Sequence, residues 1–398
     1  MLKNISILFI STLIAQLIQL AIQPFLANIL DHSEFNFLGK VLSLASMFVI
    51  FGNLQIHTCL VVSNDKSEQR ELFTVGFAWL TGYSIVIAIA QIGYSLFLGN
   101  SAEKDILGLY IGIAVWITGT TNLLVGYYSA SGEFRRVGVF SIGRALAVST
   151  MQFFLAQISF AYALVLGLFM GEFFIRLLHF KTFIDIQSRI TLNGLRKSFS
   201  KYQAFIIAGT AQEFVSVVAL MAPLFLFGEK YGDYVGGSYA LAYRMTWAPG
   251  MLIASSVSSV MLKDMSGKSA SQLKIDLQKS PFQSLIIFFS SLLILISISF
   301  LLDFWLDKSW DDSVEMMHWI SFWVSTYLAS LKARQLFRVL HLQRFQLAID
   351  LFVASGMISI FYFFNLSWHD ALVLSSSLGV LQNIFITISI FFIFKKRN

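Results

Sequence analysis

Apolar runs of about twenty residues recur along the whole chain, and no other feature of it limits the possible folds as strongly. A helix rises ~1.5 Å per residue, so about 20 predominantly apolar residues are needed to cross the hydrocarbon core of a bilayer. Twelve such runs can be marked. They cover roughly 5–30, 38–62, 72–99, 106–130, 137–158 and 161–178, then 204–227, 238–262, 282–302, 314–336, 345–365 and 371–394. Little more than Ser159 and Phe160 parts the fifth from the sixth. The expected fold is all-α: a polytopic membrane protein of about twelve transmembrane helices in two six-helix bundles. Composition agrees, with 57% hydrophobic and 13% charged residues. Soluble domains have roughly 45–50% and about 25%, and could not bury this much apolar surface. The first run, Ile5 to Leu30, exceeds the roughly 7–15 apolar residues of a signal peptide and reads as a retained span.

Orientation follows from the basic residues, because loops rich in Lys and Arg stay on the cytoplasmic side. With the N-terminus inside, only Lys40, Lys104, Lys230 and Lys308 fall on the outer side and Arg244 inside a helix. The remainder of the 28 Lys and Arg cluster in the inner segments, among them Arg144, Arg176, Arg334 and the terminal Lys395, Lys396 and Arg397. Both termini are therefore expected in the cytoplasm. The net charge of +6 is a topology signal, and no soluble basic face exists for nucleic acid.

The longest loop, near Leu178 to Gln203, is basic and separates six runs from six. It suggests an N-terminal bundle over 1–180, a cytoplasmic linker over 181–203 and a C-terminal bundle over 204–398. The halves share sparse matches at one offset: Pro24 with Pro223 and Glu34 with Asp233, where 223−24 and 233−34 both give 199. A parallel duplication places the substrate path of many transporters between two bundles. Two further local readings concern the loops. Lys263–Lys279, with Leu273 and Leu277 four apart, reads as an amphipathic piece on the membrane surface. Trp305 and Trp310, in the acidic loop of Asp303, Asp307, Asp311, Asp312 and Glu315, read as interfacial aromatics.

Four ionisable residues lie well inside the runs: Glu172, Glu213, Arg244 and Asp350. A charge at the bilayer centre costs at least a few kcal/mol, so such residues face a cavity or a partner. Glu213 is the candidate for proton coupling, since it sits mid-run beside Gln212. Glu172 stands four residues before Arg176 and can pair with it on one helix face. Asp350 lies close to Arg344 and His341, which favours an interfacial pair. Lys40 opens the second run on the outer side, as a boundary residue or at a cavity mouth. The single cysteine, Cys59, leaves no disulfide or multi-cysteine metal site. No Walker sequence, HExxH or nucleophile elbow occurs, so the chain is not expected to be an enzyme or to hold a cofactor or metal. Any transport would draw on an ion gradient or the substrate's own.

Gln23-Pro24-Phe25-Leu26-Ala27-Asn28-Ile29-Leu30 followed by Ser33-Glu34-Phe35 resembles the first-loop pattern of Wzx-type O-antigen and polysaccharide flippases. These belong to the multidrug/oligosaccharidyl-lipid/polysaccharide (MOP) superfamily. The junction from Tyr127 to Arg135 is similar to that family's aromatic-then-basic turn. The longest likeness is the order Tyr202, Gln212, Pro223, Gly237, Tyr239, Ala240, Arg244 and Pro249. Two departures stand out: Asn36 replaces the family's usual Gly after the acidic–aromatic pair, and Glu213 has no counterpart. The resemblance implies a flippase moving an undecaprenyl-diphosphate-linked oligosaccharide across the inner membrane for O-antigen or lipopolysaccharide assembly. It also implies a polysaccharide polymerase or chain-length regulator as partner. An anionic diphosphate needs a cation in its path, and Arg244 with Lys40 is what the sequence offers. Alternatives are an ion-coupled multidrug antiporter of the same superfamily and a membrane-embedded polysaccharide polymerase. Short outer loops count against the last.

Overall fold

The structure, a computed structural model, describes residues 2–63, 65–98, 102–186, 200–203, 205–266, 268, 270–340 and 342–396. Among these the secondary structure is helical throughout, with no strand. The helices are α1 (Leu2–Ala27), α2 (His32–Asn53), α3 (Ile56–Val62), α4 (Lys66–Leu98), α5 (Ala102–Ala130), α6 (Phe134–Gln157), α7 (Ala163–Leu178) and α8 (Phe180–Ile186). A π-helical turn, Phe205–Gly209, leads into α9 (Thr210–Tyr231). Then come α10 (Asp233–Ser266), α11 (Ala270–Asp303), a 3₁₀ turn (Lys308–Trp310), α12 (Asp311–Val339), α13 (Gln343–Tyr362) and α14 (Trp368–Lys396).

Each of the twelve expected spans is present, the second divided into α2 and α3. Nine segments among the described residues are long and apolar enough to cross a membrane on their own. The other three have physical reasons to fall short. α7 has only 16 residues, while α10 and α12 are diluted by Ser, Thr and charged side chains. A polar span is tolerable where it is surrounded by protein. α12 packs on α10, α11, α14 and α13, and its Ser313, Ser321, Ser325, Ser330, Arg334 and Gln335 are all buried. α11 is the opposite case, with 17% of its most apolar window buried against 61% for α2, so its side chains face lipid.

Packing divides the chain into two units that do not follow covalent order. Unit 1 holds residues 1–19 and 37–217, and unit 2 holds 20–36 and 218–398. The division therefore runs through α1, α2 and α9. Of the expected linker over 181–203, residues 187–199, including Arg189, Arg196 and Lys197, lie outside the described residues.

In unit 1, α4 packs on α5 and α6 on α7. The α6–α7 contact is a backbone-to-backbone approach licensed by Gly167 and Gly171, one turn apart. A Cβ there would lie 2.6 Å from Gln152 Cα and 2.5 Å from Val148 Cα. Small residues at i and i+4 let membrane helices approach closely where the hydrophobic effect cannot drive association.

In unit 2, the start of α2 is seated on the start of α10. Asn36 donates from Nδ2 to Asp233 Oδ1 at 2.6 Å, and its side chain fills a notch walled by Gly228 and Gly236. Asn36, the departure from the flippase pattern, is thus accommodated by two glycines. Trp310 corrects the interfacial expectation. It is 2% exposed, stacks on His32 at 3.8 Å and donates from Nε1 to Ala27 O at 2.9 Å, whereas Trp305 stays 61% exposed. Of the expected surface piece over 263–279, the residues up to Ser266 end α10 and those from Ala270 open α11. Leu273 is buried with Met265, Leu336, Phe337, Ile349, Ile386 and Ile390, so that side chain meets protein.

Candidate functional site

Three groups of buried polar side chains occupy the helix interiors, two in unit 1 and one in unit 2. The first centres on Glu172, which is fully buried on α7. Its Oε2 meets Arg176 Nη1 at 2.6 Å, and its Oε1 accepts from Arg144 Nε of α6. Arg176 spends its remaining donors on α5. Nε donates to Thr120 Oγ1 at 3.0 Å, and Nη2 to Thr121 Oγ1 at 2.7 Å and to the Ile117 carbonyl. Its guanidinium lies 5.8 Å from the Trp116 ring centroid. A buried carboxylate survives only when paired and hydrogen-bonded, and here two cations hold one acid and join three helices.

The second group is built on a break in the second span. Leu54 and Gln55 have φ of 44° and 59°, a left-handed conformation that bulky L-residues rarely adopt. At the break the Phe51 carbonyl accepts the Trp79 indole Nε1–H at 2.9 Å. Gln55 Oε1 accepts from Thr58 Oγ1 at 2.8 Å, and Gln55 Nε2 donates to Glu213 Oε2. Glu213 lies in the first turn of α9, which continues from the π turn Phe205–Gly209, and Gly209 packs against Gln55. A π turn and a left-handed break thus converge on one carboxylate, and such irregularities inside helices recur at functional sites.

The third group belongs to unit 2. Arg244 lies a third of the way along α10, and Tyr239, Tyr243 and Trp247, near it in sequence on the same helix, are buried. Trp247 stands edge-on to Trp323 at 5.1 Å and to Tyr327 at 5.2 Å, both on α12. One turn beyond Tyr327 and two turns on, α12 carries Ser330 and Arg334. The Arg334 guanidinium sits 4.9 Å from the Tyr327 ring centroid. Its Nε donates to Ser330 Oγ at 3.2 Å and its Nη2 to Asn383 Oδ1 of α14 at 2.8 Å. Next to Asn383, Gln382 donates to Asp350 Oδ1 of α13 at 2.7 Å.

Among the residues singled out from the sequence, Glu172 is joined to Arg176 and Glu213 to Gln55. Asp350 is wholly buried against Gln382, inside the protein rather than at its surface. Lys40 is half-buried on α2 in unit 1, while Arg244 belongs to unit 2. Arg144 and Arg334 are corrected by the structure: counted above with loop charges, they lie within α6 and α12 and engage buried partners. The signal was available, since both fall inside marked apolar runs. Gln55 and Asn383 carried no comparable signal. Among the described residues no group of three or more His, Cys, Asp or Glu could hold a metal ion.

Twelve spans with charges and aromatics gathered inside them define a multi-pass membrane protein. Its fold is that of the MOP superfamily. It is similar to the lipid II flippase MurJ in an inward closed conformation, with TM-score 0.71 and 12% identity over 96% of this chain and 87% of that one. It is similar also to an inward-facing multidrug resistance MATE family transporter, with TM-score 0.60 and 12% identity over 96% and 98%. A MOP superfamily transporter from Pyrococcus furiosus matches with TM-score 0.62 and 13% identity over 99% and 95%. No curated protein matches by sequence. Residues 25–315 match the model of the polysaccharide biosynthesis protein family, and the chain belongs to that family.

Proposed function

We propose that the protein is a flippase carrying an undecaprenyl-diphosphate-linked oligosaccharide from the cytoplasmic to the periplasmic leaflet of a bacterial inner membrane. It works by alternating access and serves the assembly of O-antigen or another surface polysaccharide, its product passing to a polymerase. The observation that carries this reading is Arg244, a guanidinium inside a helix of a polysaccharide biosynthesis protein, on the same helix as the buried Tyr239, Tyr243 and Trp247. A diphosphate leaving water must exchange its hydration for charge-assisted hydrogen bonds, and a guanidinium fork binds phosphate oxygens in pairs. Lys40 is a second candidate cation for the substrate. The basic segments then face the cytoplasm, as do both termini.

The cycle is coupled to protons through Glu213, whose Gln55 partner sits at the break of the second span. Movement of that break is what protonation would bias. In a deletion strain, lipid-linked repeat units should accumulate on the cytoplasmic leaflet while their synthesis continues. Normal surface polysaccharide with no such accumulation would overturn the assignment.

A further inference from the structure

Arg334 is 7% exposed, yet its partners among the described residues are neutral: Ser330, Asn383 and the Tyr327 ring. No carboxylate of the described residues stands within ion-pair distance of it, and its Nη1 has no protein acceptor among them. This contrasts with Glu172, Arg144 and Arg176, where buried cations are held by an acid. A buried charge without a counter-ion is strongly unfavourable, so such a group persists where an anion completes it. The neighbours are disposed to keep the guanidinium in place rather than to neutralise it. Asn383 is itself anchored, donating from Nδ2 to the Gly379 carbonyl at 2.9 Å and to Thr326 Oγ1 at 3.3 Å. Tyr327 leads on to Trp247 at 5.2 Å, one turn from Arg244 on α10.

We propose that Arg334, positioned by Tyr327, Ser330 and Asn383, is a second anion-binding site of unit 2, and that it takes the diphosphate of a polyprenyl lipid. The assignment rests on the flippase reading. With the termini in the cytoplasm, Arg334 lies five residues from the inner end of α12, where a lipid diphosphate is loaded, and Arg244 lies in the outer half of α10. The aromatic rings between them give the path two cationic stations in one unit. The competing account makes Arg334 one end of a structural pair with buried Asp350, bridged by Gln382 and Asn383.

The test uses the full chain in nanodiscs of zwitterionic lipid, titrated with geranylgeranyl diphosphate and, separately, geranylgeraniol. Arg334→Gln should weaken diphosphate binding by about tenfold or more, the scale of a lost charge-assisted hydrogen bond, and leave geranylgeraniol unaffected. Arg334→Lys keeps the charge and loses the fork, so it should fall between and carries the test if the glutamine variant does not fold. Inorganic diphosphate should compete in the wild type, which marks the phosphate rather than the prenyl chain as the recognised group. Competition by geranylgeraniol alone would overturn the proposal. So would wild-type diphosphate affinity in both Arg334 variants with Arg244→Ala impaired, and the flippase reading would then survive. Restored diphosphate binding in Arg334→Gln/Asp350→Asn would assign Arg334 to the structural pair and overturn its ligand role. A wild type that binds the diphosphate no better than the alcohol would remove the lipid-diphosphate reading itself.

Discussion

At the scale of single residues the account turns on how buried charge is held. Glu172 compensates two guanidiniums at once, so Glu172→Gln should be far more damaging than its volume suggests. Breaking a buried pair from one side costs about 3–5 kcal/mol. The variant should melt well below the wild type in detergent, whereas Arg144→Ala, which leaves the Arg176–Glu172 contact intact, should lose much less. Equal melting temperatures for wild type and Glu172→Gln would show that the cluster is solvated. A second residue-scale test is steric. A Cβ on Gly236 would lie 2.3 Å from Asn36 Oδ1 and 2.5 Å from Gly228 Cα. Overpacking costs roughly 1–3 kcal/mol. Gly236→Ala should lower the melting temperature, and Asn36→Ala should recover only part of the loss because the Gly228 backbone remains in the way. An unchanged melting temperature for Gly236→Ala would refute the close seating of α2 on α10. Glu172 with Arg176 was readable as an i, i+4 pair. Arg144 was not, because its partner lies 28 residues away in sequence.

At the scale of elements, the spans were readable because each must carry its own apolar run, and most boundaries came within about six residues of the helices, whereas α11 begins at Ala270, well before its run over 282–302. The break in the second span was not readable. It contains no Pro or Gly, its left-handed residues are Leu54 and Gln55, and the Gln55 side chain bonds to Glu213, 158 residues away in sequence. The polar interior of α12 was obscured for a related reason. Counting Lys and Arg for topology treats Arg334 and its neighbour Lys332 alike, although one is buried and the other half-exposed. If the break and the π turn act together through Glu213, Glu213→Gln should abolish the pH dependence of transport while the protein stays folded. Transport with unaltered activity and pH response in that variant would make the Gln55–Glu213 contact purely structural.

At the scale of the molecule, the packed units do not follow chain order, since residues 20–36 pack with unit 2 and residues 37–217 with unit 1. The orientation is tested by reporter fusions, which should place Lys308 outside and Lys197 inside; the same side for both would end the twelve-span topology. The central claim, that a lipid diphosphate passes Arg244, is tested most directly by surface polysaccharide in cells carrying variants at normal membrane abundance. Arg244→Ala should abolish it, Arg244→Lys should retain a part, and Arg244→Ala/Glu213→Gln should fail as Arg244→Ala does. Normal polysaccharide in Arg244→Ala, or its recovery in the double variant, would contradict the account and leave Arg244 as one half of a charge pair.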